Sequence, residues 1–320
     1  MNIYDIAKKT GVSTATVSRY LNGSGYVGKK TRERIAEVIA ESGYTPSGFA
    51  RSLSRGEKMK LFGVIVYRIN DLYYAGCAAV LEKALRTAGY EMMLGCAENT
   101  ETAVAAVTES LIKKNADALI YIGSAFTETA PYITAHIAPR IPCFFINAAV
   151  TGNNVFSAFC DDEKATASAA AILAAQRKRP IYLYDREIYG TARKRKGFLS
   201  VFPEAGVYLI DDGEPSSRKK LAAILRETDA DAIMAANDTL AAIAIRAAHD
   251  IGRRVPEDIA VIGHDNSFIS ELTIPALTSI DNGGEKLAAE TAKKILSFFQ
   301  GEKFAAETEI EAVLKRRESF

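Results

Sequence analysis

The chain has 320 residues, 48% apolar and 25% charged, with four cysteines, three histidines and a formal net charge of +1. This is ordinary globular composition: it excludes a collagen-like, disordered or disulfide-rich secreted chain, and no apolar run reaches the ~18 residues of a membrane span. Residues 1–60 hold eleven Lys/Arg against five Asp/Glu, and the remainder holds 29 against 34. A basic head on a mildly acidic body points to a polyanionic partner, with a merely solvated basic face as the alternative. Cys77, Cys96, Cys143 and Cys160 form no C-x-x-C pair and read as reduced thiols, and His136, His249 and His264 are scattered. No metal site and no cofactor is therefore expected. The opening "MNIYD" has no secretion-signal pattern, so a cytoplasmic location and no membrane partner are expected.

The first element in chain order is a short helix capped by Asn2, with Ile3, Ile6 and Ala7 at helical spacing and Thr10-Gly11 at its end. Ser13 is a natural N-cap for a second helix, "TATVSRYLN". There Val17 and Leu21 face inward, and Thr14, Ala15, Ser18 and Arg19 face outward. Thr31 opens a third helix, with Ile35, Val38 and Ile39 on one stripe and Gly43 at its end. Two short helices joined by a tight glycine turn, then a packing helix, is the helix-turn-helix plan. Small residues at the tip of the second helix suit close approach to the DNA major groove.

Residues 3–53 carry a dense run: A-x-x-x-G-V-S-x-x-T-V-S-R, then T-R-E-R-I, then G-Y-x-P. This stretch resembles the headpiece of the lac repressor (LacI/GalR) family. The resemblance implies base reading by Thr14, Ala15, Ser18 and Arg19, and phosphate contacts from Tyr4, Ser13, Thr16, Asn22 and Thr31. Arginine pairs bidentately with a guanine edge, so Arg19 is the leading base reader; a phosphate contact is its alternative. The matching segment of the family is a hinge that becomes helical on the operator and wedges the minor groove, which implies that role for Ala50 and Leu53. Packing of Leu53 against the core is the other reading. The organisation expected is a headpiece at 1–45, a hinge at 46–58 and a core at 59–320.

From Leu61 onward apolar strands alternate with helices: "LFGVIVYRI", "YEMML", "ADALIYIG" and "IPCFFINA" in one series, then "FSAFC", "PIYLY", "VYLID", "DAIMAAN" and "IAVIGHD" in a second. Such alternation is the signature of parallel sheets covered on both faces, so the fold class is α/β, with two similar lobes and a cleft behind an all-α head. No G-x-x-x-x-G-K-[ST] loop is present, which excludes that kind of nucleotide site. In open α/β lobes the binding groups sit at the carboxyl ends of strands, which brings forward Arg68, Asn147, Asn237 and Asp265. Asp238 is read as the N-cap of the helix that follows.

The run from Asp231 to Ser267 with "PALTSID" resembles the second-lobe signature of the same family, whose core is similar to periplasmic sugar-binding proteins. The resemblance implies effector contacts from Asn237 and Asp265, an aromatic contact from Tyr73 or Tyr74 (a core role being equally open), and lobe 1 at about 60–158 and 283–306 with lobe 2 at about 159–282 and 307–320. Asn147 stands where many relatives carry aspartate. At Lys194 the family often has an arginine that contacts the effector; Arg193 and Arg195 flank it. With Arg68 these cations suggest an anionic effector such as a sugar phosphate, unless they point to solvent. "IVYRIND" and "CDDEKA" distantly resemble the trehalose repressors, which respond to a sugar phosphate.

The function expected is a sequence-specific DNA-binding regulator, a repressor acting as a homodimer on a pseudo-palindromic operator and controlled by a sugar or sugar-phosphate effector. Helix 72–88 and the run 290–299 are the expected dimer faces, and no leucine heptads suggest a coiled-coil tail. The alternative is a solute-binding protein without a DNA role. An enzyme is not expected: Asp161 and Asp162 are adjacent, and no nucleophile–base set is evident.

Overall fold

The computed structural model describes residues 1–44, 60–176 and 178–320, so the hinge expectations at Ala50 and Leu53 lie outside the described residues. The chain forms two compact units, Met1–Lys60 and Leu61–Phe320. In the first unit, helices α1 (Ile3–Thr10), α2 (Thr14–Asn22) and α3 (Lys29–Ser42) close around Ile6, Ala7, Val17 and Ile35. Asn2 caps α1 by accepting from the amides of Tyr4 and Asp5, and Asp5 answers from its side chain in a full capping box. Gly11 closes the helix at φ 65°, left-handed backbone that a side chain would strain. Helix α3 starts two residues before the expected Thr31, with Gly28 as its N-cap. Glycine offers no side-chain cap, so the sequence carries no signal for that start.

The second unit is built on two six-stranded sheets. Strands β1 (Leu61–Val66), β2 (Glu91–Cys96), β3 (Ala118–Ile122), β4 (Cys143–Ile146) and β5 (Val155–Phe159) run parallel, flanked by α4 (Leu72–Thr87) and α5 (Glu101–Lys113). Between β3 and β4 the chain makes a 3-10 turn, Ser124–Thr127, the short helix α6 (Ala130–Tyr132) and a π turn, Ile133–Ile137, none of which the sequence patterns announce. After α7 (Asp162–Ala175) the second sheet takes β6 (Pro180–Tyr184), β7 (Val207–Leu209), β8 (Ala232–Ala235), β9 (Ala260–His264) and β10 (Thr278–Asp281). Its helices are α8 (Tyr189–Leu199), α9 (Ser217–Glu227), α10 (Asp238–Asp250) and the short α11 (Ile269–Leu272). Strands β1, β3, β4, β6, β8 and β9 are almost wholly buried, which is why they read as unbroken apolar runs.

The chain crosses between the lobes near Cys160, near Asn282 and after Glu309. Helix α12 (Gly284–Gln300) returns to the first lobe and packs on α4. Strand β11 (Glu307–Glu309) then pairs with β5 of the first sheet, and only β12 (Val313–Lys315) joins the second, antiparallel to β10. The expected return to lobe 2 at 307 is therefore corrected to follow β11. Residues after β12 are stitched into the second sheet: Ser319 Oγ donates to the Val261 carbonyl and accepts from the Thr278 amide, and Arg317 donates to Asn266 Oδ1 at 2.8 Å. Of the two expected dimer faces, Cys77, Leu81, Leu85 and Ile295 are buried inside the first lobe, while Leu72, Val80 and Leu296 stay half-exposed. Among the described residues no helix is long and apolar enough to cross a membrane.

Candidate functional site

Helix α2 is held by its own caps. Ser13 Oγ accepts from the Thr16 amide and lies 2.9 Å from Thr16 Oγ1, and Gly23 closes the other end with left-handed backbone. Val17 and Leu21 pack inward, which leaves Ala15 and Arg19 exposed and Thr14 and Ser18 half-exposed on the other side. Asn22 Nδ2 donates to Ser18 Oγ one turn earlier, fixing both side chains. Of the remaining residues expected at phosphate, Tyr4 is 71% exposed at the start of α1, and Thr31 is half-buried in the first turn of α3.

The second unit has a cleft where strand ends of both lobes meet. It is lined from the first lobe by Asp71, Tyr73, Tyr74, Ser124 and Asn147, and from the second by Asp185, Arg186, Lys194, Asn237 and Asp265. Each group except Lys194, which lies midway along α8, stands near the carboxyl end of a strand or at the start of the helix that follows it. Asn147 and Asp265 take left-handed backbone at φ 56° and 91°, which Asn and Asp tolerate better than other side chains. The cavity volume is about 50 Å³, room for a few waters. An adjoining compartment of about 120 Å³ shares Ser124, Asn147 and Gly190 with the cleft and adds Asp162 and Arg193. At that shared wall the lobes touch closely: a Cβ on Gly190 of α8 would overlap Ser124 Oγ.

Lys194 is buried and donates to Asp265 Oδ1 at 3.1 Å and to the Ala236 carbonyl at 3.0 Å. Burial alone would lower its pKa, but the charges of Asp265 and Asp162 outweigh it and raise it. Burial likewise opposes ionisation of Asp265, and Lys194 with His264 holds its carboxyl down at about 2. Asp71 caps α4 by accepting from the Tyr73 amide; burial, then the charge of Asp265, pushes it up to about 6.

Five of the seven residues expected at the effector, Tyr73, Asn147, Lys194, Asn237 and Asp265, line this cleft together. Arg68 does not: it bridges the lobes to Asp212 Oδ1 at 3.3 Å and bonds Asn70. Arg193 is in the adjoining compartment, paired with Asp161 at 2.8 Å and Glu163 at 3.2 Å. The cap expected of Asp238 is supplied by its neighbour Asn237, which also lines the cleft. Asn237 Oδ1 caps α10, while buried Asp238 accepts from Ser267 and Ser279. Asp71 and Arg186 are lining residues that the sequence reading passed over. Arg186 lies two residues past the β6 strand end, and Asp71 directly precedes a helix, so strand-end position and cap position were the signals available.

Residues 2–47 match the family described as bacterial regulatory proteins, lacI family, and residues 169–320 match a periplasmic binding protein-like domain. An HTH-type transcriptional regulator of Lachnoclostridium phytofermentans is 32% identical over 313 residues, covering 94% of each chain. The ribose operon repressor of Bacillus subtilis is 30% identical over 95% of this chain and 93% of its own. The lac repressor dimer bound to operator and an anti-inducer superposes with a TM-score of 0.77 at 23% identity, covering 100% of this chain and 98% of that one, a likeness of fold. With a capped recognition helix ahead of a two-lobed cleft, and relatives matched along nearly its whole length, the chain belongs to the LacI family of DNA-binding transcriptional regulators.

Proposed function

We propose that the protein is a homodimeric repressor that reads a pseudo-palindromic operator through α2 and is controlled by a small sugar in the cleft. The observation that carries this reading is α2 itself: a helix capped at both ends, its inner side spent on the core and Ala15 and Arg19 left exposed. In this reading Arg19 meets a guanine edge, Thr14, Ala15 and Ser18 shape the approach, and Tyr4, Ser13, Thr16, Asn22 and Thr31 hold phosphates. The relative named as a ribose operon repressor supports both the repressor role and a sugar-linked effector. A sugar would meet Asn147, Asn237, Arg186 and the Lys194–Asp265 pair, a mixed donor and acceptor set suited to hydroxyls. Arg68 ties the lobes together across the cleft mouth.

A second copy would dock on Phe268, Leu272 and Ile274, which are 66%, 67% and 92% exposed on and beside α11. The test is selection of the purified protein on random duplex DNA followed by sequencing. An inverted repeat with half-sites about one helical turn, ~10 base pairs, apart is the expected result. An unpaired half-site motif would remove the dimer; no motif, with or without added sugars, would remove the repressor reading.

A further inference from the structure

We propose that the cleft is built for a cationic sugar, an amino sugar or a comparable polyhydroxylated ammonium, with Asp71 as the group that receives its charge. This deepens the reading of the cleft as the effector site and rests on it.

The argument is one of charge and pairing. Among the described residues, each cation in or near the cleft already has a carboxylate. Lys194 is bonded to Asp265 at 3.1 Å, Arg68 to Asp212 at 3.3 Å, and Arg186 to Asp185 and, at 3.5 Å, to Asp212. Arg193, beyond the shared wall, is taken by Asp161 and Glu163. Among the described residues no guanidinium or ammonium at the cleft is left over to receive a phosphate, so the cations that suggested an anionic ligand are committed to carboxylates. The carboxylates are not used up in the same way. Asp71 lines the cleft and makes no ion pair among the described residues; its side chain accepts from the Tyr73 amide, and the Arg186 charge offsets it in part without a direct contact. Its acid is held neutral up to about pH 6, first by burial and then by the charge of Asp265. A ligand hydroxyl would donate a hydrogen bond there and leave the charge without a directly bonded cation, whereas an ammonium supplies both.

Two further features favour a cation. In the adjoining compartment Asp162 is 5% exposed, and its Oδ1 has no hydrogen-bond partner; the nearest cationic candidate is His264 Nε2 at 3.8 Å. Tyr73 and Tyr74, edge to face at 5.8 Å beside Asp71, provide aromatic rings of the kind that attract an ammonium.

The test measures binding to the full-length protein at neutral pH, where Asp71 is ionised, by calorimetry and thermal shift. The probes are glucosamine, galactosamine and mannosamine, each beside its parent hexose, its N-acetyl derivative and its 6-phosphate. At least one hexosamine is expected to bind about tenfold or more tightly than its three counterparts. Asp71→Asn, which keeps the helix cap, is expected to abolish that advantage, the hexosamine falling to the affinity of its neutral parent measured on the same variant. Neutral hexoses or phosphates matching the amines would overturn the proposal and leave the cleft reading standing. An amine preference that survives Asp71→Asn would overturn the assignment to Asp71. If no probe of any charge binds, the cleft is not a sugar site and the inference falls with it.

Discussion

Arg19 stands exposed on α2 with no acid paired to it among the described residues, whereas Lys194, of the same charge, is buried in the cleft and bonded to Asp265 and a backbone carbonyl. The first is a free cation in water, available to a partner that supplies the acceptors. The second has given up its water and depends on a fixed partner for its charge. The difference teaches where charge acts as recognition and where it acts as architecture: a solvated cation can be lent to a ligand, a desolvated pair cannot be separated cheaply.

The largest expected effect breaks the architectural side. Lys194→Met leaves Asp265 charged and unpaired, and is expected to cost about 3–5 kcal/mol in denaturant unfolding of the core. A loss under about 1 kcal/mol would show that Asp265 is satisfied without it. Arg19→Ala probes the other side: it is expected to lose about 1–3 kcal/mol on the selected operator and little on scrambled duplex, with core unfolding unchanged. Equal losses on both DNAs would turn Arg19 into a phosphate contact. Gly190→Ala places a methyl against Ser124 and is expected to weaken sugar binding by about 1–3 kcal/mol, the usual cost of overpacking. Ser124→Gly in the same chain should restore the affinity, and a double variant as weak as the single would remove the close approach as the cause.

The smallest effect is a slope with pH. Asp71 and Asp238 are raised to about 6 and about 7, from 3.8 in the unfolded chain. The folded state therefore holds protons that the unfolded state releases, and stability from these two groups falls as pH rises from about 4 through 6 and 7. Asp265, lowered to about 2, acts oppositely and only below about 4. Asp238→Asn is expected to shrink the decline between pH 4 and 7 in unfolding titrations; an unchanged slope would mean that Asp238 is ionised in the folded state.

The head was legible almost to the residue because its signals are local. Asn2, Ser13, Gly11 and Gly23 act within one helical turn of where they stand, and only the bare Gly28 start of α3 escaped notice. In the core the strand runs were legible for the same reason, and strand ends brought forward Asn147, Asn237 and Asp265. What the sequence could not show was which charges are already taken. Arg68 finds Asp212 across 144 positions and Lys194 finds Asp265 across 71, distances over which no spacing rule operates. The cap falling to Asn237 and not to Asp238 has the same origin. Both could cap a helix, and the choice is made by Ser267 and Ser279, which only the fold brings near.

The stitching of the second lobe by β12, Arg317 and Ser319 sets an order on the ribosome. Helices α1 to α3 have been synthesised long before these residues, and at about 5–20 residues per second the interval is on the order of tens of seconds. Arg317 steadies Asn266, the neighbour of Asp265, so the cleft gains its last fastening only when the C-terminal residues arrive. A nascent chain thus carries its DNA-reading helices before it has a finished site through which a small molecule could restrain them.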